Sequence, residues 1–459
     1  MSTQPIAGAR RPKEPISIPW GWLEWYILLQ NLIPGLLYVP GLSSVRVLTR
    51  VAAYVIAPLA WGLLVSRGRR APGDATFPAR PWLIFCVIWL ALEIFHPNSY
   101  SLIAAAAQVT LYVSVLSPAF WAPSALNSSK QLGRVMAVLF LCNALSATLG
   151  MAQVFRPQTF NPPIIQGMKG GDEREVIHTV TDDGRRIMRP CGLSDSPGMA
   201  SAAGVAAALL GLSWSLRPIA VWKRLACGVL AFLGVAVIYY SQVRSAILML
   251  AICVAAMTVL FTIQKNFKQA IMLASGGTTM VVGALLWVAR SGGSAFLERF
   301  LTLIEGDPSK LMHQSRGHFI EQAFNEYLWD YPLGYGMGWW GMVNAIFGRP
   351  DQPSPMWCEV MWPGWIIDGG APLLIAYVVA LGMAMADTLR IAWTSKDRDV
   401  AFWAAVIVSF NLSLLASTFS FVPFISAIGI QFWLLSATLH AADARARLAA
   451  RPAAKAVAR

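Results

Sequence analysis

The stretch YSQVRSAILMLAICVAAMTVLFTIQKNFKQAIMLASGGTTMVVGALLWVAR, residues 240–290, decides the fold. Two uncharged apolar runs, 245–263 and 270–289, are each long enough to cross a lipid bilayer as a helix, and Lys265 and Lys268 mark the short turn between them. Backbone N–H and C=O groups find no partners in hydrocarbon, so runs of this kind are helices. The pattern repeats along the chain. Segments near 20–39, 47–65, 81–95, 100–120, 134–155, 197–214, 225–242, 362–386, 400–419 and 421–440 join the first two, giving about twelve spans. The expected fold class is an all-α polytopic membrane protein, with 1–459 forming one membrane domain.

Composition points the same way. Of 459 residues, 56% are apolar and 13% charged, and the mean hydropathy is +0.55. So few charges do not cover a water-soluble globule of this size, and the same figures exclude a disordered chain, a collagen or a disulfide-stapled secreted domain. The net charge of +13 would fit nucleic acid in a soluble protein. Here the basic residues are dispersed between the spans, so no nucleic acid is expected as a partner. With the N-terminus inside, Arg10, Arg11 and Lys13, the cluster Arg67–Arg70, and the tail 441–459 share one side with the larger part of the Lys and Arg. The positive-inside rule then makes both termini cytoplasmic and membrane lipids the first partner. Six cysteines show no metal-ligand spacing, although Cys191 and Cys358 fall in external loops and can pair if the compartment oxidises. No HExxH, Walker or GxSxG motif occurs, so the chemistry is expected to be metal-independent and free of cofactors.

Two long external loops remain, 156–196 and 290–361. In the first, TDDGRR (181–186) reads as a turn at the tip of a hairpin. The second holds HQSRGHFIEQAFNEYLWDYPLGYGMGWWGMV (313–343). Phe319, Ala323, Phe324 and Leu328 give His318–Trp329 one apolar stripe, and Pro332 stops that helix. The GYGMG run predicts a flexible backbone with exposed amides, followed by Trp339 and Trp340. Small residues at Gly198, Gly204 and Gly211 suit close helix contact, with Asp195 and Ser196 as a cap in front.

The candidate chemistry clusters on the loop side. Arg244 interrupts an apolar run at the external boundary, which suits a clamp on a diphosphate, because the planar guanidinium meets phosphate oxygens in pairs. The plainer alternative is an arginine snorkelling at the interface. Arg316 offers a second cation, with His313 or His318 beside it, against the alternative of a solvated helix start. Glu321 can bind sugar hydroxyls or simply face the helix dipole. Glu359 lies among Trp residues where the loop returns to the membrane. It can take the proton of an attacking hydroxyl, or be an interfacial Glu. Asp368, inside the next span, can pair with Arg244 or Arg316 or line the phosphate cavity. Arg156 and Arg290 stand at span ends as further substrate contacts or plain anchors, and Trp339 as an aromatic contact. Glu93 and His96 close the third segment without an identifiable partner.

Four stretches carry a family resemblance: SDSPGMASAAGVAAALL, YSQVRSAILML, RGHFIEQAFNEYLWDYPLGYGMG and WIIDGGAPLLIAY. Over about 190–385 the chain resembles the O-antigen ligase / O-antigen polymerase superfamily of bacterial inner-membrane glycosyltransferases. The resemblance implies a GT-C-like helical fold and a donor glycan carried on undecaprenyl diphosphate at the outer leaflet of the inner membrane. It also implies a separate glycan acceptor, and association with polysaccharide export or chain-length regulating proteins. Arg244 and Arg316 would hold the diphosphate. Ligases of the family carry a His shortly before the acidic-x-Gly, and the matching position here is Glu359. That departure favours an inverting polymerase of O-antigen-like or exopolysaccharide repeat units. The alternatives are a ligase delivering glycan to lipid A core or another acceptor, and a transporter or flippase of the lipid-linked glycan.

Overall fold

The computed structural model describes residues 20–39, 41–42, 46–66, 76–162, 178–180, 186–194, 196, 198–292, 316–347, 356 and 358–457. Among the described residues, besides the 3-10 helix Ile33–Tyr38, fifteen helices of five or more residues are named in chain order: α1 Trp22–Leu32, α2 Arg46–Ser66, α3 Arg80–Glu93, α4 Leu102–Leu116, α5 Pro118–Ala125, α6 Gln131–Phe155, α7 Met199–Ser215, α8 Val221–Ser241, α9 Arg244–Ile263, α10 Phe267–Gly292, α11 over 318–330, α12 Gly341–Phe347, α13 Met361–Thr394, α14 Arg398–Ser417 and α15 Ala427–Val457. Among the described residues, the regular structure other than helix is a short antiparallel pair in which His178–Val180 pairs with Arg186–Met188, consistent with a hairpin whose turn the TDDGRR run predicts.

Among the described residues, eight helices are long and apolar enough to cross a membrane: Arg46–Ser66, Leu102–Ala125, Gln131–Phe155, Val221–Ser241, Arg244–Ile263, Phe267–Arg290, Met361–Thr394 and Arg398–Ser417. The protein is therefore an all-helical, multi-pass membrane protein by length and composition. These helices coincide with eight of the expected segments. The other four are helical but do not meet the same measure. α1 has 11 residues, α3 has 14 and α7 has 17. α15 is long, but Gln431, His440 and Asp443 interrupt its apolar run.

Contacts between helix ends sort the bundle into two faces. At one face Gln131 donates to Glu24 at 2.6 Å, Arg217 pairs with Asp399 at 2.8 Å, and Arg445 donates to the Asn127 carbonyl at 3.2 Å. At the other, here the loop face, Gln153 donates to the Gly192 carbonyl at 3.0 Å, Arg50 to Ser196 at 3.2 Å, and Met361 N–H to the Thr418 carbonyl at 3.0 Å. Successive long helices thus run in alternating directions.

Close approach of α7 and α8 rests on small residues. A Cβ on Gly204 would lie 2.6 Å from the Gly234 carbonyl oxygen, and one on Gly211 would lie 2.7 Å from that of Cys227. Gly198 plays a different part: it is the N-cap of α7 in the left-handed region (φ 79°), with no side chain capping the helix, so Ser196 is not the cap. The Ser196 hydroxyl instead accepts from Arg50.

α13 is interrupted at Gly369 and Gly370, whose backbones are non-helical. Segment 331–340 docks into the break. The Pro332 carbonyl accepts from Ala371 N–H at 2.9 Å, Tyr335 N–H donates to the Ile367 carbonyl at 2.8 Å, and Trp89 donates to the Gly369 carbonyl at 2.8 Å. The backbone groups freed by the break therefore find partners within the protein, as a low-dielectric setting demands. The GYGMG amides are not exposed, contrary to the sequence expectation. Gly334, Gly336 and Gly338 are buried with φ of 115°, 109° and 86°. Met337 N–H donates to Ser99 Oγ at 3.2 Å, while its carbonyl accepts from Tyr100 N–H at 2.9 Å. Upstream, α11 is α-helical at His318–Gln322 and Leu328–Asp330 with a π-helical turn, Ala323–Tyr327, between them.

Candidate active site

Arg316 stands at the start of α11, and Glu359 lies just before α13. The fold brings them together: Arg316 Nε donates to Glu359 Oε2 at 3.1 Å, and Arg316 Nη1 donates to the Ser420 carbonyl beyond α14. Both side chains are about one-third exposed (36% and 37%), so the pair is open to a ligand from the loop face. The two contacts leave Arg316 Nη2 available for a further acceptor.

A second cation, overlooked in the sequence, lies within electrostatic range of Arg316. Arg189 follows the hairpin at the return of the first loop. Its Nε donates to the Ser241 carbonyl at 3.4 Å, at the end of α8. Its guanidinium fills the space a side chain at Gly198 would take, with Nη2 3.0 Å from that Cβ position and Val243 Cγ2 at 3.3 Å. Burial lowers the Arg189 pKa; the neighbouring Cys191 works against this, and the like charge of Arg316 adds to it. An anion between the two arginines would relieve their repulsion. A basic residue beside Pro190 where the chain returns to the bundle is the same signal that singles out Arg244.

Arg244 is the first residue of α9, one residue after Val243, whose side chain reaches the same Gly198 position as the Arg189 guanidinium. It is half-buried, and no carboxylate among the described residues pairs with it. Arg189 and the backbone start of Arg244 thus both lie near the ends of α7, α8 and α9, and Arg189 feels the charge of Arg316.

Asp368 does not pair with Arg244 or Arg316, correcting the sequence expectation of an ion pair. It is fully buried, and its Oδ2 accepts from Gln108 Nε2 at 2.9 Å and Tyr112 OH at 2.8 Å. Its Oδ1 has no hydrogen-bond partner. Glu93, also buried, is near enough for the two charges to oppose each other, and its Oε2 is likewise unpartnered. Asp368 thus sits beneath the docked 331–340 segment rather than beside the arginines.

The remaining candidates are dispersed. Arg156 is exposed where α6 ends, and its carbonyl accepts from Thr159 and Phe160 N–H groups. Arg290 is exposed in the last turn of α10. His318 is exposed and rests on Phe319, with ring centroids 3.9 Å apart; Glu321 is also exposed. Trp339 donates to the Asn98 carbonyl at 2.6 Å and packs edge-on against Tyr100, so its polar edge is already engaged. His313 lies outside the described residues. Cys191 and Cys358 are both free thiols, and burial together with the charge of Asp368 pushes the Cys358 thiol up.

Comparison with known proteins finds no matching protein family and no matching curated protein, so the arrangement of Arg316, Glu359 and Arg189 is what any functional reading must start from.

Proposed function

We propose that the protein is a glycosyltransferase that polymerises oligosaccharide repeat units carried on undecaprenyl diphosphate, working at the outer leaflet of a bacterial inner membrane with both termini cytoplasmic. The single observation that carries this reading is the Arg316–Glu359 pair, open to the loop face of a membrane bundle, with Arg189 within electrostatic range of Arg316. Arg189 and Arg244, with the free edge of Arg316, bind the diphosphate. Arg316 pins one oxygen of Glu359 and so aims the carboxylate. An acceptor hydroxyl gives its proton to Glu359 as its oxygen bonds to the anomeric carbon. The bond from that carbon to the diphosphate oxygen breaks, and the electron pair leaves with the polyprenyl diphosphate. The arginines stabilise the leaving charge. One direct displacement inverts the anomeric centre.

The broken helix α13 is the one feature that favours a transporter, since broken helices with buried acids recur at transport sites. Its backbone groups are bonded to Trp89, Pro332 and Tyr335, which ties the break to the loop segment instead of leaving it to line a water-filled path. The test gives purified protein a synthetic undecaprenyl-diphosphate-linked repeat unit. A ladder of products supports polymerisation. Transfer to a separate acceptor alone makes it a ligase, and movement between leaflets without new glycosidic bonds makes it a flippase.

A further inference from the structure

Away from the arginines, α1, α6, α7, α9, α14 and α15 line a half-open cavity of about 110 Å³. About 10–15 Å³ of such space admits one water, so this cavity has room for several waters or a small ring. Its roof is the turn 191–194, and the roof is rigid. Gln153 Oε1 accepts from the N–H groups of Cys191 and Gly192, both at 2.9 Å, and Ser146 Oγ accepts from Leu193 N–H at 3.1 Å. Gly192 has φ 65°, and a Cβ there would lie 2.4 Å from Ser146 Oγ.

The walls combine apolar side chains with Asn31, Ser146 and Ser194 and with buried amides whose hydrogen bonds are incomplete. Gln30, Asn143 and Gln431 are 4%, 6% and 6% exposed. Gln30 Oε1 accepts from Asn31 at 3.1 Å, which leaves the Gln30 Nε2 donors over. Asn143 Nδ2 donates to the Leu139 carbonyl at 2.8 Å, which leaves its Oδ1 over. The Gln431 amide has no hydrogen-bond partner among the described residues. Each such group costs about 1–3 kcal/mol if left dry. Three around one cavity therefore imply an occupant that hydrogen-bonds. No charged side chain lines the cavity, so a charged occupant would be uncompensated. Donors and acceptors are offered together, beside apolar walls such as Met249 and Phe410. A hydroxylated ring, with O–H groups at its edge and C–H groups on its face, matches both features.

We propose that this cavity is a binding site for a neutral hydroxylated group of about the size of one sugar ring. No residue of the Arg316, Glu359 and Arg189 cluster lines it, so the proposal stands independently of the transfer reading.

The test uses the full chain in nanodiscs and a photoactivatable decyl glucoside. A decyl phosphocholine with the same photoactive tail is the control, and labelled peptides are found by mass spectrometry. The glucoside is expected to label peptides from α1, α6 or α15 in preference to the control. Gln431→Leu and Asn143→Leu are each expected to reduce that label about tenfold. Ala202→Leu, which fills the cavity and keeps every amide, is expected to do the same in protein with an unchanged gel-filtration profile. Excess free glucose separates the sources: displacement of the label points to a soluble sugar and persistence to a membrane-borne one, and either supports hydroxyl recognition. Equal labelling by the phosphocholine probe, or undiminished labelling in Ala202→Leu, overturns the proposal and leaves the cavity to water.

Discussion

Arg316 Nε lies 3.1 Å from Glu359 Oε2 across 43 residues of sequence, and the same guanidinium grips the Ser420 carbonyl beyond α14. One arginine thus ties the start of α11, the lead into α13 and the turn after α14 into a single surface. Glu359→Gln keeps a hydrogen-bond acceptor for Arg316 but removes the proton acceptor. Transfer is expected to fall about 10²–10⁴-fold in a single-turnover assay while donor binding persists. Full activity in Glu359→Gln would remove the carboxylate from the reaction.

Arg189 packs over Gly198 at the start of α7 and Arg244 opens α9, and neither has a carboxylate partner among the described residues. Arg189→Ala removes a charged donor and is expected to weaken binding of the diphosphate-linked donor about tenfold or more. Arg244→Ala is expected to remove polymer while the protein remains in the membrane. Polymer of full length from either variant would separate that arginine from the phosphate.

Asp368 has a structural task. Replacing it with Leu leaves Gln108 Nε2 and Tyr112 OH without their acceptor, at about 1–3 kcal/mol each. Asp368→Asn retains an oxygen for them and is expected to cost less. Thermal unfolding in detergent reads the difference. An unaltered midpoint in Asp368→Leu would show that these donors have other partners.

At Gly370, φ is 61° and a Cβ would lie 2.2 Å from the Pro332 carbonyl oxygen. Gly370→Ala is expected to expel segment 331–340 from the break in α13, with faster protease cleavage of that segment. Gly276→Ala meets nothing within 4 Å and serves as the matched control.

His96 links this segment to pH. Burial holds its imidazole below the ordinary value of 6.5, and its Nδ1 accepts from Asn98 N–H at 3.2 Å, which only the neutral ring can do. A folded pKa below the unfolded one gives stabilisation that is present above pH 6.5 and is lost as pH falls through the folded value. Protection of the Tyr100 and Met337 amides from exchange, relative to their intrinsic rates at each pH, is expected to fall below pH 6.5, and His96→Gln is expected to abolish that step. Protection that is independent of pH in the wild-type chain would detach His96 from the anchoring of segment 331–340.

The eight long apolar helices were legible in the sequence because hydropathy acts locally and lipid permits no irregular backbone. The hairpin around 181–185 and the close-contact glycines Gly204 and Gly211 were legible for similar reasons: a turn needs its own residues, and near helix contact needs small ones. Arg316 and Glu359 could each be named from residue type and position. Their contact could not, since it depends on how α11, α13 and the turn after α14 meet. Arg189 went unnoticed because its significance comes from Ser241 and Arg316, both distant in sequence, and from a fold that leaves Gly198 open beneath it. The GYGMG run was misread as open backbone because glycine reveals permissive φ angles and says nothing of what docks against them. The sequence by itself determined which segments belong in lipid. Only the tertiary structure decided that Asp368 is held by Gln108 and Tyr112 while Glu359 meets the arginine, because a buried charge takes whichever donors the folded bundle brings within reach.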